Sequence, residues 1–510
     1  MMRRSRRAFA IVLGVLTLQS TTAVPGAAQA AAGGSPLPGL DAYVEAAMRE
    51  WHVPGLALAI VRNDSVIFAR GYGTTEAGGG TPVDENTLFA IASTTKAMTA
   101  AALGMLVDDG RVAWDDPVTR HLPWFQLGDP WVSRGLTVRD LLTHRAGLAR
   151  SDQLWIAAPF DRAEVLRRAR HLPTAAGFRA EYGYNNIMYI AAGEVVGAAA
   201  GTTWDDFLDE RLFRPLGMTR STSRAATVET RDNVATSHVL VDGRAVAVPR
   251  RNYDIIGGAG GVFSSVRDMA QWIRLHLGGG VYDGQRLLEA ATVREMHTPH
   301  TVIRGDTVSE RLFPNTHFRA YGLGWMLQDY HGRKMVYHSG SINFTRTQVG
   351  MIPEAGVGVV VITNLSTSNL QLALMYRILD ELLGLPPRDW NAEYLALAER
   401  AETRSAEQAR TVEEARVRGT RPSLEAQRYA GTYTSAVYGE MRLAWEDGRL
   451  VLQYAPDYTA DLSHWHYDTF RAVWRRTGFG RAFVTFALDS RGRVATMNVD
   501  GLGEFRRTPD

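Results

Sequence analysis

The stretch FAIASTTKAMTAAALGMLVDDG, residues 89–110, decides how the rest of the chain is read. Ala97 to Val107 is almost entirely Ala, Leu, Met and Val, which predicts a helix buried on all sides rather than along one stripe. Asp108-Asp109-Gly110 stops it, with glycine just past the last turn. The start is unusual. Ser93 stands at the expected N-cap, and Lys96 stands where a capping box carries Glu or Gln. A cation in the first turn faces the positive end of the helix dipole, at a cost of up to about 1 kcal/mol. Residues three apart share a helix face, so the Ser93 hydroxyl and the Lys96 amine lie side by side. A serine becomes a nucleophile when a neighbouring base takes its proton. Burial disfavours the charged form of a lysine and frees its lone pair. Backbone N–H groups at a helix start favour negative charge growing on an oxygen. The feature that weakens the helix is therefore what acyl transfer needs.

Around this helix the chain alternates between two textures. Asp41 to Trp51 predicts a first helix. Leu56 to Val61 and Val66 to Arg70 flank the turn pair Asn63-Asp64 and predict a hairpin. Residues 115–304 mix helices and loops. Strands return at Lys334 to His338, Thr345 to Ile352 and Val357 to Thr363, with Pro353-Glu354-Ala355-Gly356 turning the last pair. Leu370 to Leu383 predicts a closing helix. Strands at both ends and helices between predict an α/β (α+β) domain, one antiparallel sheet built from the two ends with an inserted helical lobe. The junction of sheet and lobe is a natural cleft. Residues 391–424 are charged, with Glu413/Arg416 and Glu414/Arg418 at helical spacing, and predict a solvated linker helix. From 425 to 510 the pattern becomes alternating, as in Met441 to Trp445, Leu450 to Tyr454 and Ala482 to Leu488, which predicts a small all-β domain.

The chain has 510 residues, 45% hydrophobic and 22% charged, an ordinary globular composition. Residues 1–30 predict a secretory signal: Arg3, Arg4, Arg6 and Arg7, an apolar run from Ala8 to Leu18, and the small-x-small site Ala28-Gln29-Ala30. The expected location is periplasmic or secreted. The apolar run is too short to span a bilayer about 30 Å thick, so no stable membrane insertion is expected after signal removal. Removing these residues turns the formal charge of +2 to −2, and no basic stripe interleaves with aromatics, so no nucleic-acid partner is expected. There are no cysteines, which excludes disulfides, thiolate catalysis and cysteine-ligated zinc. His464/His466 share a predicted strand face and His297/His300 a helical face. Neither pair has the third ligand that a zinc site needs, so neither metal nor cofactor is expected. Gly257 to Gly261 lacks the following Lys-Ser or Lys-Thr of a phosphate loop and is expected to line the cleft or turn tightly.

Two further pieces carry chemistry. Tyr184-Asn185-Asn186 lies in EYGYNNIMYIAAGEVV, where a phenol near a lysine relays protons and a side-chain amide holds a carbonyl. His338-Ser339-Gly340 lies in RKMVYHSGSINF, at an expected strand end. Gly340 permits close backbone approach. The N–H of Ser341 is expected to complete an oxyanion hole with that of Ser93.

Ser-x-x-Lys, Tyr-x-Asn and His-x-Gly occur in that order, and together they resemble the serine β-lactamase and penicillin-binding-protein superfamily, in its class C β-lactamase-like branch. The neighbouring blocks ENTLFAIASTTKAMTAAALGMLVDDGRVAWDDPVTRHLP, LTVRDLLTHRAGL, GGAGGVFSSVRDMAQW, YGLGWMLQ and VGMIPEAGVGVVVITN are similar too, over roughly residues 38 to 385. The segment from YAGTYTSAVYGEMRL on is similar to a lipocalin-like β-barrel appended to this branch. The resemblance makes 31–390 the catalytic domain and implies an acyl-enzyme on Ser93, Lys96 as base or relay, and Tyr184 as general base in acylation and acid toward the leaving group. It also implies that Asn186 holds the substrate amide and that His338 orients substrate or supports Tyr184. Whether Lys96 or Tyr184 takes the first proton stays open. Where many relatives carry glycine this chain has Ser341 and Phe344, which narrows that edge of the cleft. The expectation is therefore an exported serine hydrolase with a small-molecule or peptide substrate, cell-wall peptides among the candidates, cleaving an amide or ester. The alternative is a non-catalytic penicillin-recognising sensor that binds through its C-terminal domain.

Overall fold

The computed structural model describes residues 37–156, 159–366, 368–455 and 458–509. The signal expected over 1–30 lies outside the described residues. Helix α1 (Leu40–Glu50) leads into the hairpin β1 (Gly55–Arg62) and β2 (Ser65–Gly73). The buried helix of the opening stretch is α2 (Thr95–Asp108), followed in the lobe by α3 (Asn186–Ala200) and α4 (Val266–Leu277). The sheet resumes with β3 (Thr301–Ile303), β4 (Arg319–Tyr321), β5 (Met326–Tyr330), β6 (Arg333–Ile342), β7 (Thr345–Ile352) and β8 (Val357–Thr363). Its order is β2-β1-β8-β7-β6-β5-β4-β3, so the two ends of the domain meet where β1 pairs antiparallel with β8.

The central strands are apolar at every position because both faces are covered. Leu56, Leu58 and Ile60 of β1, with Val359 and Val361 of β8, pack with α1 and with α5 (Leu370–Leu382). Ala57, Ala59 and Val61, with Val360 and Ile362, face the lobe. Continuous apolar runs are typical of parallel sheets. Here an antiparallel sheet has them because helices cover it on both sides.

Four local expectations are corrected. Ser93 is not an N-cap: it lies inside a 3₁₀ turn, Ala92–Thr94, and α2 begins at Thr95 without a side-chain cap. His338 is inside β6 rather than at its end. The strand continues to Ile342, paired with Thr345, and turns through Asn343 and Phe344, both at positive φ. Ser339, Gly340 and Ser341 look like a loop, but they pair with Gln348, Thr347 and Arg346 in the ladder, and only Asn343 and Phe344 form the tip. α6 (Trp390–Glu414) is not solvated throughout, since Trp390, Asn391 and Tyr394 are buried and the Asn391 Oδ1 accepts from the Trp51 indole N–H at 2.7 Å. His297 and His300 do not share a helix face, because that helix ends at Met296. His297 instead meets His276, Nε2 to Nδ1, at 3.1 Å in the core.

The C-terminal part is a closed barrel of eight antiparallel strands in chain order: β9 (Gly431–Ser435), β10 (Gly439–Glu446), β11 (Arg449–Ala455), β12 (Tyr458–His466), β13 (Thr469–Trp474), β14 (Arg481–Leu488), β15 (Val494–Val499) and β16 (Gly503–Arg507). Closure leaves no exposed sheet edge. Its interior is filled by buried side chains such as Tyr433, Leu443, Leu452, Phe470 and Phe486, as expected for eight strands.

Candidate active site

Ser93 is set by its neighbours' backbones. Ala92 has φ of 50°, a conformation that a residue with a Cβ rarely adopts. Gly340 of β6 makes this possible: a Cβ there would lie 2.4 Å from the Ile91 carbonyl oxygen and 3.2 Å from the Ser93 nitrogen. The strand therefore presses directly on the turn that carries Ser93. β5 pairs with β6 only as far as Tyr337, so the segment from His338 to Ile342 meets this turn on its other edge. Ser341 lines the same cleft as Ser93.

Lys96 is fully buried within α2, every residue of which is buried from Thr95 to Leu106. Its Nζ meets Ser93 Oγ at 3.2 Å, Asn186 Oδ1 at 2.7 Å and the Ala259 carbonyl at 2.6 Å. Burial holds its pKa well below the usual lysine range; the charge of Asp152 opposes this and that of Arg150 adds to it. Burial favours the neutral amine. The geometry lets Nζ donate to all three oxygens; in the neutral form two N–H groups suffice for the two carbonyl oxygens, and the lone pair can face the Ser93 hydroxyl. The Ser93 hydroxyl and the Lys96 amine, expected side by side, are thus within hydrogen-bond distance.

The Tyr184 hydroxyl is close enough to Ser93 for the serine to lower its pKa, and its ring centre lies 4.9 Å from Lys96 Nζ. Burial raises its pKa, against the effect of Ser93 and the Arg150 charge, so the phenol is protonated at neutral pH. The Arg150 guanidinium lies 5.3 Å from the ring centre and donates to Asp152 at 2.7 Å.

Asn186 is more committed than the resemblance implies. Its carbonyl accepts from Lys96, and its amide donates to Asp152 Oδ1 at 2.8 Å. One amide N–H is left to face a substrate. His338 is buried, and both ring nitrogens are engaged. Nδ1 lies 2.7 Å from the Ser339 carbonyl and so carries the proton, while Nε2 accepts from the Tyr321 hydroxyl at 2.9 Å. Burial, with the nearby Lys96, holds its pKa down at about 3, so it is neutral. Its ring centre lies 6.4 Å from that of Tyr184, and its two hydrogen bonds go to Ser339 and Tyr321.

Sequence reasoning passed over His144 and Tyr321, although both lie in quoted blocks, LTVRDLLTHRAGL and YGLGWMLQ. The His144 ring is 4.2 Å from that of Tyr184 and 4.5 Å from that of Tyr321, centre to centre. Its Nδ1 accepts from the Asn185 N–H at 3.1 Å, which places its proton on Nε2. This ring cluster fixes the plane of the Tyr184 phenol. Arg150 and Asp152 were passed over too, since a charged pair two residues apart has no signal of its own. Gly260 lines the cleft, as expected of the glycine cluster, and Ala259 within it supplies an acceptor for Lys96. Among the described residues no group of three or more His, Cys, Asp or Glu side chains has a metal-binding arrangement.

The Beta-lactamase family model matches residues 40–383. A second model, described as a domain of unknown function, matches residues 415–508. Unguisins hydrolase ungD of Aspergillus violaceofuscus is 31% identical over 457 residues, spanning 82% of this chain and 78% of that protein. Penicillin-binding protein 4 of Amycolatopsis lactamdurans is 30% identical over 355 residues, 67% of this chain and 89% of that protein. Among solved structures, the octameric penicillin-binding protein homologue from Pyrococcus abyssi superposes with a TM-score of 0.61 at 21% identity. It covers 92% of this chain and 98% of its own, which is a likeness of fold.

Proposed function

This chain belongs to the β-lactamase family, and from that premise we propose that it is an exported serine hydrolase of the class C-like branch, cleaving an amide or ester through an acyl-enzyme on Ser93. The observation that carries the reading is the Lys96 amine, buried and shared between two carbonyl oxygens and the Ser93 hydroxyl. The class C-like assignment leans on Tyr184, a buried phenol beside the serine.

The neutral Lys96 amine takes the Ser93 proton as Oγ attacks the substrate carbonyl. The tetrahedral oxyanion forms against the N–H groups of Ser93 and Ser341, where one lost donor typically costs about 10²–10³ in rate. Tyr184 gives its proton to the leaving nitrogen or oxygen and regains one from the Lys96 ammonium. The bond to the leaving group breaks, and water then hydrolyses the Ser93 ester by the reverse relay. Lys96 rather than Tyr184 is the first base, because burial favours the neutral amine and the protonated phenol alike.

The test is intact-mass analysis during turnover of p-nitrophenyl acetate, short D-amino-acid p-nitroanilides and a chromogenic β-lactam. A transient adduct on the peptide containing Ser93, with product released, is expected for the ester and the anilides. No adduct with any of them overturns the reading; a lasting adduct without product makes the protein a penicillin-recognising binder instead.

Tyr184→Phe removes the relay but keeps the ring that packs on His144. Its kcat is expected to fall by about 10²-fold or more with KM little changed. Wild-type kcat in this variant removes Tyr184 from the mechanism.

A further inference from the structure

The cleft that contains Ser93 encloses about 360 Å³, and one of its walls comes from the C-terminal barrel. Phe479, in the loop joining β13 to β14, lines it together with Trp155, Tyr253, Ile342 and Phe344 of the catalytic domain. Two observations show that this wall is built. Phe344, at the tip of the β6–β7 hairpin, has φ of 67°, strained for an aromatic residue. Its ring lies where a Cβ on Gly478 would be, 2.4 Å away, and Gly478 has φ of 87°. The barrel loop therefore has its glycine where the hairpin has its bulky residue. Two guanidinium groups approach the Phe479 ring, Arg251 at 5.6 Å and Arg476 at 5.4 Å from its centre. Arg476 also donates to the Pro249 carbonyl at 2.9 Å.

The barrel is fixed to the lobe elsewhere too. Tyr458 donates to Gln153 at 2.9 Å and Arg168 to the Ala436 carbonyl at 3.1 Å. The loop is thus a standing part of the cleft.

Resting on the serine-hydrolase reading above, we propose that Phe479, with Phe344, Trp155 and Tyr253, forms an apolar subsite that takes an aromatic or branched aliphatic side chain of the substrate's acyl part. The charged groups of the cleft have partners of their own, and the aromatic rings supply the apolar surface of this wall. Arg150 is paired with Asp152, and Arg251 donates to the Ile156 carbonyl. A filled apolar pocket discriminates by about tenfold or more for each small change in the group it holds.

The experiment uses the full chain and compares p-nitrophenyl 3-phenylpropanoate with p-nitrophenyl acetate. In Phe479→Ala the ratio of kcat/KM for the two esters is expected to fall at least tenfold, through KM for the larger ester. Phe479→Leu, which keeps apolar volume and guards against a folding defect, is expected to recover most of that ratio. Calorimetric binding of 3-phenylpropanamide, which needs no reactive serine, is expected to weaken at least tenfold in Phe479→Ala. Unchanged ester ratio and unchanged amide binding overturn the subsite, whatever the state of Ser93. Weakened amide binding, in a wild-type protein that neither hydrolyses the esters nor forms an adduct, upholds the subsite and defeats the serine-hydrolase reading instead.

Discussion

Ser93→Ala abolishes turnover and covalent labelling together. With the hydroxyl gone, Lys96 keeps Asn186 and Ala259 as partners, so the fold around α2 has little reason to change. The Ser93 side chain is only partly buried, and its removal leaves no large cavity. The expected fall in kcat is about 10⁴–10⁶-fold, the range that follows when a nucleophile acting as part of a unit is deleted. A fluorophosphonate that labels the wild-type protein once per chain should not label the variant. Labelling that survives, or activity within tenfold of wild type, assigns the chemistry to another group.

Lys96→Ala is the second large effect and the more informative one. The variant loses the only amine hydrogen-bonded to the Ser93 oxygen among the described residues, and a fall of about 10²–10⁴-fold in acylation is expected. The pH profile gives the sign. An ammonium has no lone pair, so below the Lys96 pKa acylation fails, and it recovers as pH rises through that value. Burial holds the value well below lysine's ordinary range, so the rise falls on the acid side of pH 10.5. Lys96→Ala should lose this limb as well as the rate. A variant that is slow but keeps the limb shifts the role of first base to Tyr184. Lys96→Arg should not rescue, because a guanidinium stays protonated.

Much of the fold was legible because its signals are local. The hairpin β1–β2 has its turn pair between two apolar runs. β7 and β8 were bounded by Pro353 and Gly356, and Gly356 does take a positive φ. Strand β6 was read too short, since the residues that let it approach Ser93 closely, Ser339, Gly340 and Ser341, are those that usually mark a loop. The cap role given to Ser93 failed for a related reason. The chain turns tightly through Ala92 to bring the hydroxyl out, and only contact with β6 holds that strained turn in place.

Local sequence patterns specify the serine and lysine one turn apart, the buried helix that carries Lys96, the antiparallel sheet made from the two ends of the catalytic domain and the alternating pattern of the barrel. Each of these depends on spacing along a few residues, where helix and strand periods are written directly. The state and surroundings of the site come from contacts between distant segments. Asn186 and Ala259 accept from Lys96, Tyr321 occupies His338, His144 backs Tyr184, and Phe479 crosses from another domain to close the cleft. Protonation follows from burial and from which way each hydrogen bond points. Those are set by groups far apart in the chain, whose meeting no local period records.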